Sequence, residues 1–215
     1  MKHLKKFSTE ADVDVNAYPN VCVVADTNKV LYNVMPKGVF IQHINGALYD
    51  TEDWSAIGFS NDEANGVVVN TNEASFVVAK DNASDSAMWL YNGTLVDGVF
   101  TTTDKAEATA DFSGQKNTEF IDAEGAGSLC ANYTFPNGQR GYLPALGEMY
   151  VLYNNKTDVD KALELIGGRV IGNVTYWTST QYSAVESWCI ITTQASRSGS
   201  NKTITYRVRP FTKLL

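Results

Sequence analysis

The 215-residue chain has only two histidines and three cysteines, and it has no concentration of positive charge beyond its first residues. His3 and His43 are too few for a site built on several imidazoles. Cys22, Cys130 and Cys189 are odd in number and form no C-x-x-C pair, which argues against a disulfide framework and against a zinc site. Cys22 and Cys130 sit in apolar contexts and read as small buried hydrophobes. The formal net charge is −7 and the one basic cluster is at residues 2–6, so nucleic acid is not an expected partner, because phosphate binding needs concentrated lysine and arginine. No apolar run approaches the length of a membrane span, and the basic opening MKHLKKFSTE is not followed by the apolar segment of a secretory signal. The expected setting is a virion (phage tail) or cell-surface assembly, otherwise the cytoplasm, with no membrane insertion.

What is present is enough apolar material for one well-buried core, with many Gly, Asn, Ser and Thr residues that favour short elements joined by turns. Residues 1–37 read as a leader: β-rich runs at 21–25 and 30–33 flank the turn Asp26-Thr-Asn-Lys29, the pattern of a hairpin that docks elsewhere. From Gly38 onward, strands are expected at 39–43, 47–49, 67–70, 75–79 and 88–91, separated by Asn45-Gly46, Asn65-Gly66 and Asn92-Gly93. Thr103-Asp104 caps an expected helix over 105–111. Further helices are expected at 114–122, 128–133, 146–153 and 158–166, the last closed by Gly167-Gly168. Strands return at 176–180, 187–193 and 203–212. The order of strands, helices and strands predicts an α+β domain over 38–215.

Motifs for enzymatic chemistry are weak. A Ser-His-Asp triad would have to use His43, which has no flanking signature. Asp50, Glu52 and Asp53, and the stretch from Asp81 to Ser86, read as solvated acidic turns, and the latter lacks the spacing of a calcium loop. Gly125-Ala-Gly127 is neither a P-loop nor a dinucleotide fingerprint. No catalytic residue, metal ligand or cofactor is assigned.

The terminal strands carry the functional expectation. Strand period two places Trp188, Ile190 and Thr192 on one face and Cys189, Ile191 and Thr193 on the other. With Trp188 taken as the core anchor, the Cys189 set points outward, joined by Ser196 and Arg197 in a polar connection over 194–202 and by Thr203 and Thr205. Gln181, Ser183, Val185 and Glu186 extend this surface in the preceding loop, with Trp177 and Tyr182 assigned to the core. Mixed apolar and hydroxyl groups suit a ligand-contacting patch, as in paratopes. The same mixture also fits a face covered by a second layer or subunit.

The stretch TFPNGQRGYLPALGEMYVLYNNK (134–156), followed by YWTSTQYS, ESWCIITT and YRVRPF, resembles C-type-lectin-fold proteins of the formylglycine-generating-enzyme branch. It looks closest to the variable proteins of diversity-generating retroelements in Bacteroides-type gut bacteria and their phages. The resemblance is good over 103–215 and weaker over 38–102, and the leader looks like a module that often precedes such domains. It implies a C-type-lectin-like fold with a mostly antiparallel twisted sheet. It also implies a non-enzymatic, ligand-binding role, with contact residues on the last strands and loops that mutagenesis of adenines rewrites. The sequence departs from calcium-dependent lectins in lacking E-P-N, Q-P-D and W-N-D motifs, and from the enzymes in lacking their cysteine pair. The implied partner is a protein or glycan receptor on a target cell surface, with homo-oligomerisation or docking to a larger assembly through residues 1–37. The alternative is a virion or pilus component that uses the same face for assembly; a formylglycine-generating activity ranks below both.

Overall fold

A computed structural model describes the backbone of residues 21–26, 29–34, 36–194 and 196–214, and side chains from residue 36 onward. The expected hairpin forms: β1 (Val21–Asp26) pairs antiparallel with β2 (Lys29–Val34), Val21 facing Val34. Residues 1–20, His3 among them, the turn at 27–28, the Cys22 side chain and the docking of the leader lie outside the described residues.

The main body is α+β with two five-stranded, mostly antiparallel sheets. The first has the order β12-β6-β5-β3-β4, from β3 (Gly38–His43), β4 (Leu48–Tyr49), β5 (Ala64–Asn70), β6 (Ser75–Val78) and β12 (Phe211–Lys213). The second has the order β10-β9-β8-β11-β7, from β7 (Ser84–Met88), β8 (Thr175–Gln181), β9 (Glu186–Ile191), β10 (Ser196–Asn201) and β11 (Thr205–Val208). β8 and β11 run parallel; the other pairings are antiparallel.

Among the described residues there are six short α-helices: α1 (Thr51–Ile57), α2 (Lys105–Thr109), α3 (Gly114–Thr118), α4 (Gly125–Ala131), α5 (Leu146–Asn154) and α6 (Lys156–Leu165). Their ends follow local chemistry. Asp104 accepts from the Ala106 and Glu107 amides at the start of α2. After α6 the chain turns at Gly167, whose φ of +67° suits glycine, and the Gly168 amide returns to Leu163 O. Helix α1 was not expected. Asp50 is its N-cap, accepting from Asp53 N at 2.7 Å, so the acidic stretch is a helix start that matches the helix dipole. The helix buries Trp54 against a ring cluster of His43, Tyr49 and Phe59.

The principal core lies between the sheets. It joins Ile41, Val67, Val69, Phe76, Val78 and Phe211 of the first sheet to α5, α6 and the Tyr176, Trp188 and Ile190 side chains of the second. Each sheet is also covered on its far side. Val68, Val77 and Phe135 cluster behind the first sheet. Trp177, Cys189, Val208, Ala87 and Trp89 cluster behind the second with Ala126 and Cys130 of α4.

Several expected boundaries move. The strand expected at 88–91 is shifted to β7, and the Trp89 and Leu90 amides turn to Lys202 O. The stretch 194–202, expected as a loop, contains strand β10, which pairs residue for residue with β9. The run 203–212 breaks into β11 and β12 at Pro210, which has no amide to donate.

Candidate binding surface

Gln181 and Lys202 stand at the centre of the end of the second sheet where β8 stops and β9 starts. Both are fully buried, which corrects the expectation that Gln181 is a surface residue. Its side-chain carbonyl accepts from Val96 N at 3.0 Å and from the Lys202 ammonium. Its amide donates to Val96 O at 3.2 Å and Thr101 Oγ1 at 2.7 Å. Its backbone pairs with Phe100 O and Thr102 N. Lys202 Nζ also donates to Thr94 O (2.6 Å) and Ala184 O (2.9 Å), 4.6 Å from the centre of the Trp89 ring. These acceptors are all uncharged, and burial draws the ammonium down to about 8. The Lys202 backbone adds Lys202 N to Val185 O and Trp89 N to Lys202 O. One glutamine and one lysine thus tie together the segments 91–101, 182–186 and 201–204.

These pinned segments carry outward apolar side chains. Tyr91, Leu95, Val185 and Ile204, together with Phe120 on the adjoining turn, are each between 45% and 65% exposed. Three contacts join the segments around residues 91–98, 119–124 and 185. Gly93 approaches Val185, where an added Cβ would stand 3.5 Å from its Cγ1. Gly98, at φ +89°, lies against Phe120, where a Cβ would come within 2.4 Å of the ring. Tyr91 N reaches Glu124 Oε1 at 3.4 Å. Glycine is required at 98 by both its backbone angle and the ring.

The eleven residues expected at the site do not form one patch. Cys189 is the second correction: it is 2% exposed, faces Trp177 across the β8–β9 ladder and donates to Ser198 O. Trp188 does point inward, its indole donating to Thr102 O. The inference from Trp188 to an outward Cys189 fails because α4 and its neighbours cover the other face as well. Val185, Thr203 and Thr205 are exposed, and Ser183 and Glu186 are half-buried, at the Lys202 end. Ile191 and Ser196, half-buried and directly paired, and exposed Thr193 lie at the opposite end of β9–β10. Five strand steps separate the ends, roughly 17 Å. Arg197 faces the interior side, its guanidinium 4.1 Å from the Tyr150 ring centre and bonded to Thr109 Oγ1. Tyr182 packs on Trp188 at 5.0 Å between ring centres, as expected of a core residue.

Sequence reasoning missed Tyr91, Leu95 and Phe120, and strand period two puts Ile204 on the inward face with Tyr206 and Val208, whereas it is exposed. For Tyr91 and Leu95 the usable signal was a set of large apolar residues inside turn-rich YNGTLVDGVF, with no period that would bury them.

Cys130, Cys189 and Glu148 are buried. Burial raises the Cys130 thiol well above its usual range and the Cys189 thiol to about 11. Among the described residues no group of three His, Cys, Asp or Glu side chains is placed to hold a metal ion. Among them, no helix is long and apolar enough to cross a membrane. Glu148 is buried at the start of α5, accepting from Ala145 N and bonded to Tyr142 Oη, and burial raises its carboxyl to about 8.

No family model matches the chain, and no curated protein matches it. Among solved structures it is similar to a fimbrial protein from Bacteroides ovatus ATCC 8483, known from a crystal structure at 1.85 Å. The two share 18% identity with a TM-score of 0.42, over 93% of this chain. The chain spans 37% of that protein's length.

Proposed function

We propose that this is a non-enzymatic ligand- or receptor-binding protein with a C-type-lectin-like main domain, recognising its partner through the loop face around Lys202. The observation that carries the reading is the pairing of exposure with rigidity. Tyr91, Leu95, Val185 and Ile204 present apolar surface to solvent, while the backbone beneath them is fixed by the Gln181–Lys202 hydrogen bonds. Contiguous exposed apolar surface without a binding role is an aggregation liability, and pre-ordered loops lose little entropy on association. The non-catalytic reading is supported by the buried Cys130 and Cys189 thiols, whose burial raises their pKa values and disfavours the thiolate.

The resemblance to retroelement variable proteins fits this division of labour. Ser183, Val185, Glu186, Thr193, Thr203 and Thr205 can change without disturbing the core, whereas Gln181 and Cys189 cannot. The protein is then displayed on a phage tail or cell surface, and its partner is a protein or glycan receptor. A glycan and protein array probed with the purified chain tests the binding role. A specific signal lost on replacing Tyr91, Leu95, Val185 and Ile204 with serine supports it; a signal indifferent to all four refutes the loop face. Diversification has its own test: an adenine-rich near-copy of the segment encoding residues 176–211 beside a reverse-transcriptase gene, whose absence removes that claim alone.

A further inference from the structure

The loop face combines its apolar side chains with charge of one sign. The segments that form it, 91–100, 119–124, 182–186 and 201–204, hold five carboxylates: Asp97, Glu119, Asp122, Glu124 and Glu186. Asp97, Glu119 and Asp122 are exposed, and Glu124 and Glu186 half-buried. Their one basic residue is Lys202, whose ammonium is buried beneath the face and committed to Thr94 O, Ala184 O and Gln181. The surface is therefore apolar with an acidic rim, and its complement is a short segment that alternates lysine with large apolar groups.

The chain contains one such segment. Residues 1–7, MKHLKKF, carry Lys2, Lys5 and Lys6 beside Leu4 and Phe7, with no carboxylate before Glu10. The other close basic pair, Arg207 and Arg209, is already engaged: Arg207 with Asp85, and buried Arg209 with Ala79 O and Lys80 O. Seven residues, if fully extended, span at most about 24 Å.

We propose that the acidic-rimmed loop face of one copy takes the cationic segment 1–7 of a second copy, Leu4 and Phe7 packing on Tyr91, Leu95 and Phe120 while the lysines meet Asp97, Glu119 and Asp122. The inference rests on the loop face being a contact surface and names one occupant for it. The contact is between two different patches, so it is head-to-tail, and repetition builds open chains or rings rather than a closed two-fold dimer. A receptor for the same face would compete with it.

Charge exchange on the full-length chain tests this, read by sedimentation velocity at increasing protein concentration and at low and high salt. The expected result is concentration-dependent association that weakens with salt. It should weaken about tenfold or more in Lys2→Glu/Lys5→Glu/Lys6→Glu and likewise in Asp97→Lys/Glu119→Lys/Asp122→Lys, and return when the two triple variants are mixed. A control with the same change in net charge elsewhere, Glu52→Lys/Asp62→Lys/Glu73→Lys, should associate at least as well as the parent. A labelled synthetic peptide of residues 1–7 should bind the parent chain and not the Asp97/Glu119/Asp122 variant. A parent chain that stays monomeric, association that survives the lysine reversals, or a mixture that fails to associate overturns the proposal. If array binding persists and remains sensitive to Tyr91 and Val185 in that event, only the self-contact fails and the recognition surface stands.

Discussion

Replacing Gln181 with leucine separates the two descriptions of this position most sharply. Leucine has similar volume and offers no hydrogen-bonding group. The substitution removes the acceptor of Val96 N and of the Lys202 ammonium, and the donor to Val96 O and Thr101 Oγ1. Orphaned buried groups cost about 1–3 kcal/mol each. Relaxation and entering water recover part of that, and Lys202 keeps Thr94 O and Ala184 O. A loss of about 3 kcal/mol is expected, which for a domain of this size lowers the Tm by roughly 6–12 °C. Urea denaturation followed by tryptophan fluorescence measures it, since Trp89 lies beside Lys202 and Trp188 lies in the core. The glutamate variant should be milder, because a carboxylate next to the buried ammonium offsets part of the loss. If Gln181→Leu shifts stability by less than about 0.5 kcal/mol, the typical range of surface substitutions, the residue does not anchor the loops and the frame described above is wrong.

Three further outcomes follow from the same geometry. Val185→Asp, Thr193→Lys and Thr203→Lys should each stay within about 0.5 kcal/mol of the parent, whereas Cys189→Glu should fail to fold; equal tolerance at all four would contradict the burial of Cys189. Native thiol titration of a Cys22→Ser chain should show no fast-reacting group, because Cys130 and Cys189 are buried with raised pKa values; a fast thiol would mean that the second sheet opens readily. Glu148 holds its proton up to about 8 in the folded chain, against 4.5 when unfolded. At this site the folded form therefore holds the proton between these values, and the Glu148 contribution to stability falls as pH rises from 4.5 to 8, by at most about 1.4 kcal/mol per unit. Urea midpoints at pH 5.5 and pH 8 should differ more for the parent than for Glu148→Gln; equal slopes would place the titration elsewhere.

The elements were legible where local chemistry decides them. The capping aspartate before α2, the apolar face of α6 and its closing glycines, and the period-two runs of β3, β6 and β8 all formed near their expected places. The terminal sheet was misread for a physical reason. Alternation identifies an outward face only if one side of the sheet meets water, and β9 is covered on both. Its continuous apolar run, Trp188 to Ile191, was the available sign of a strand buried on both faces. Gln181 was misassigned because its burial depends on Lys202, twenty-one residues later, and on Val96, eighty-five residues earlier. Partners so distant leave no local pattern. Leu95 and Phe120 likewise look like ordinary candidates for burial, and only the tertiary arrangement leaves them on the surface.

Hydrogen–deuterium exchange of the chain, free and saturated with the strongest partner from the array, is the most direct test of the binding surface. Protection is expected at residues 91–96, 119–124 and 182–186 and around Thr203, with residues 191–196 at the far end of β9–β10 unchanged. Protection confined to that far end, or none within the loop face, would contradict the assignment.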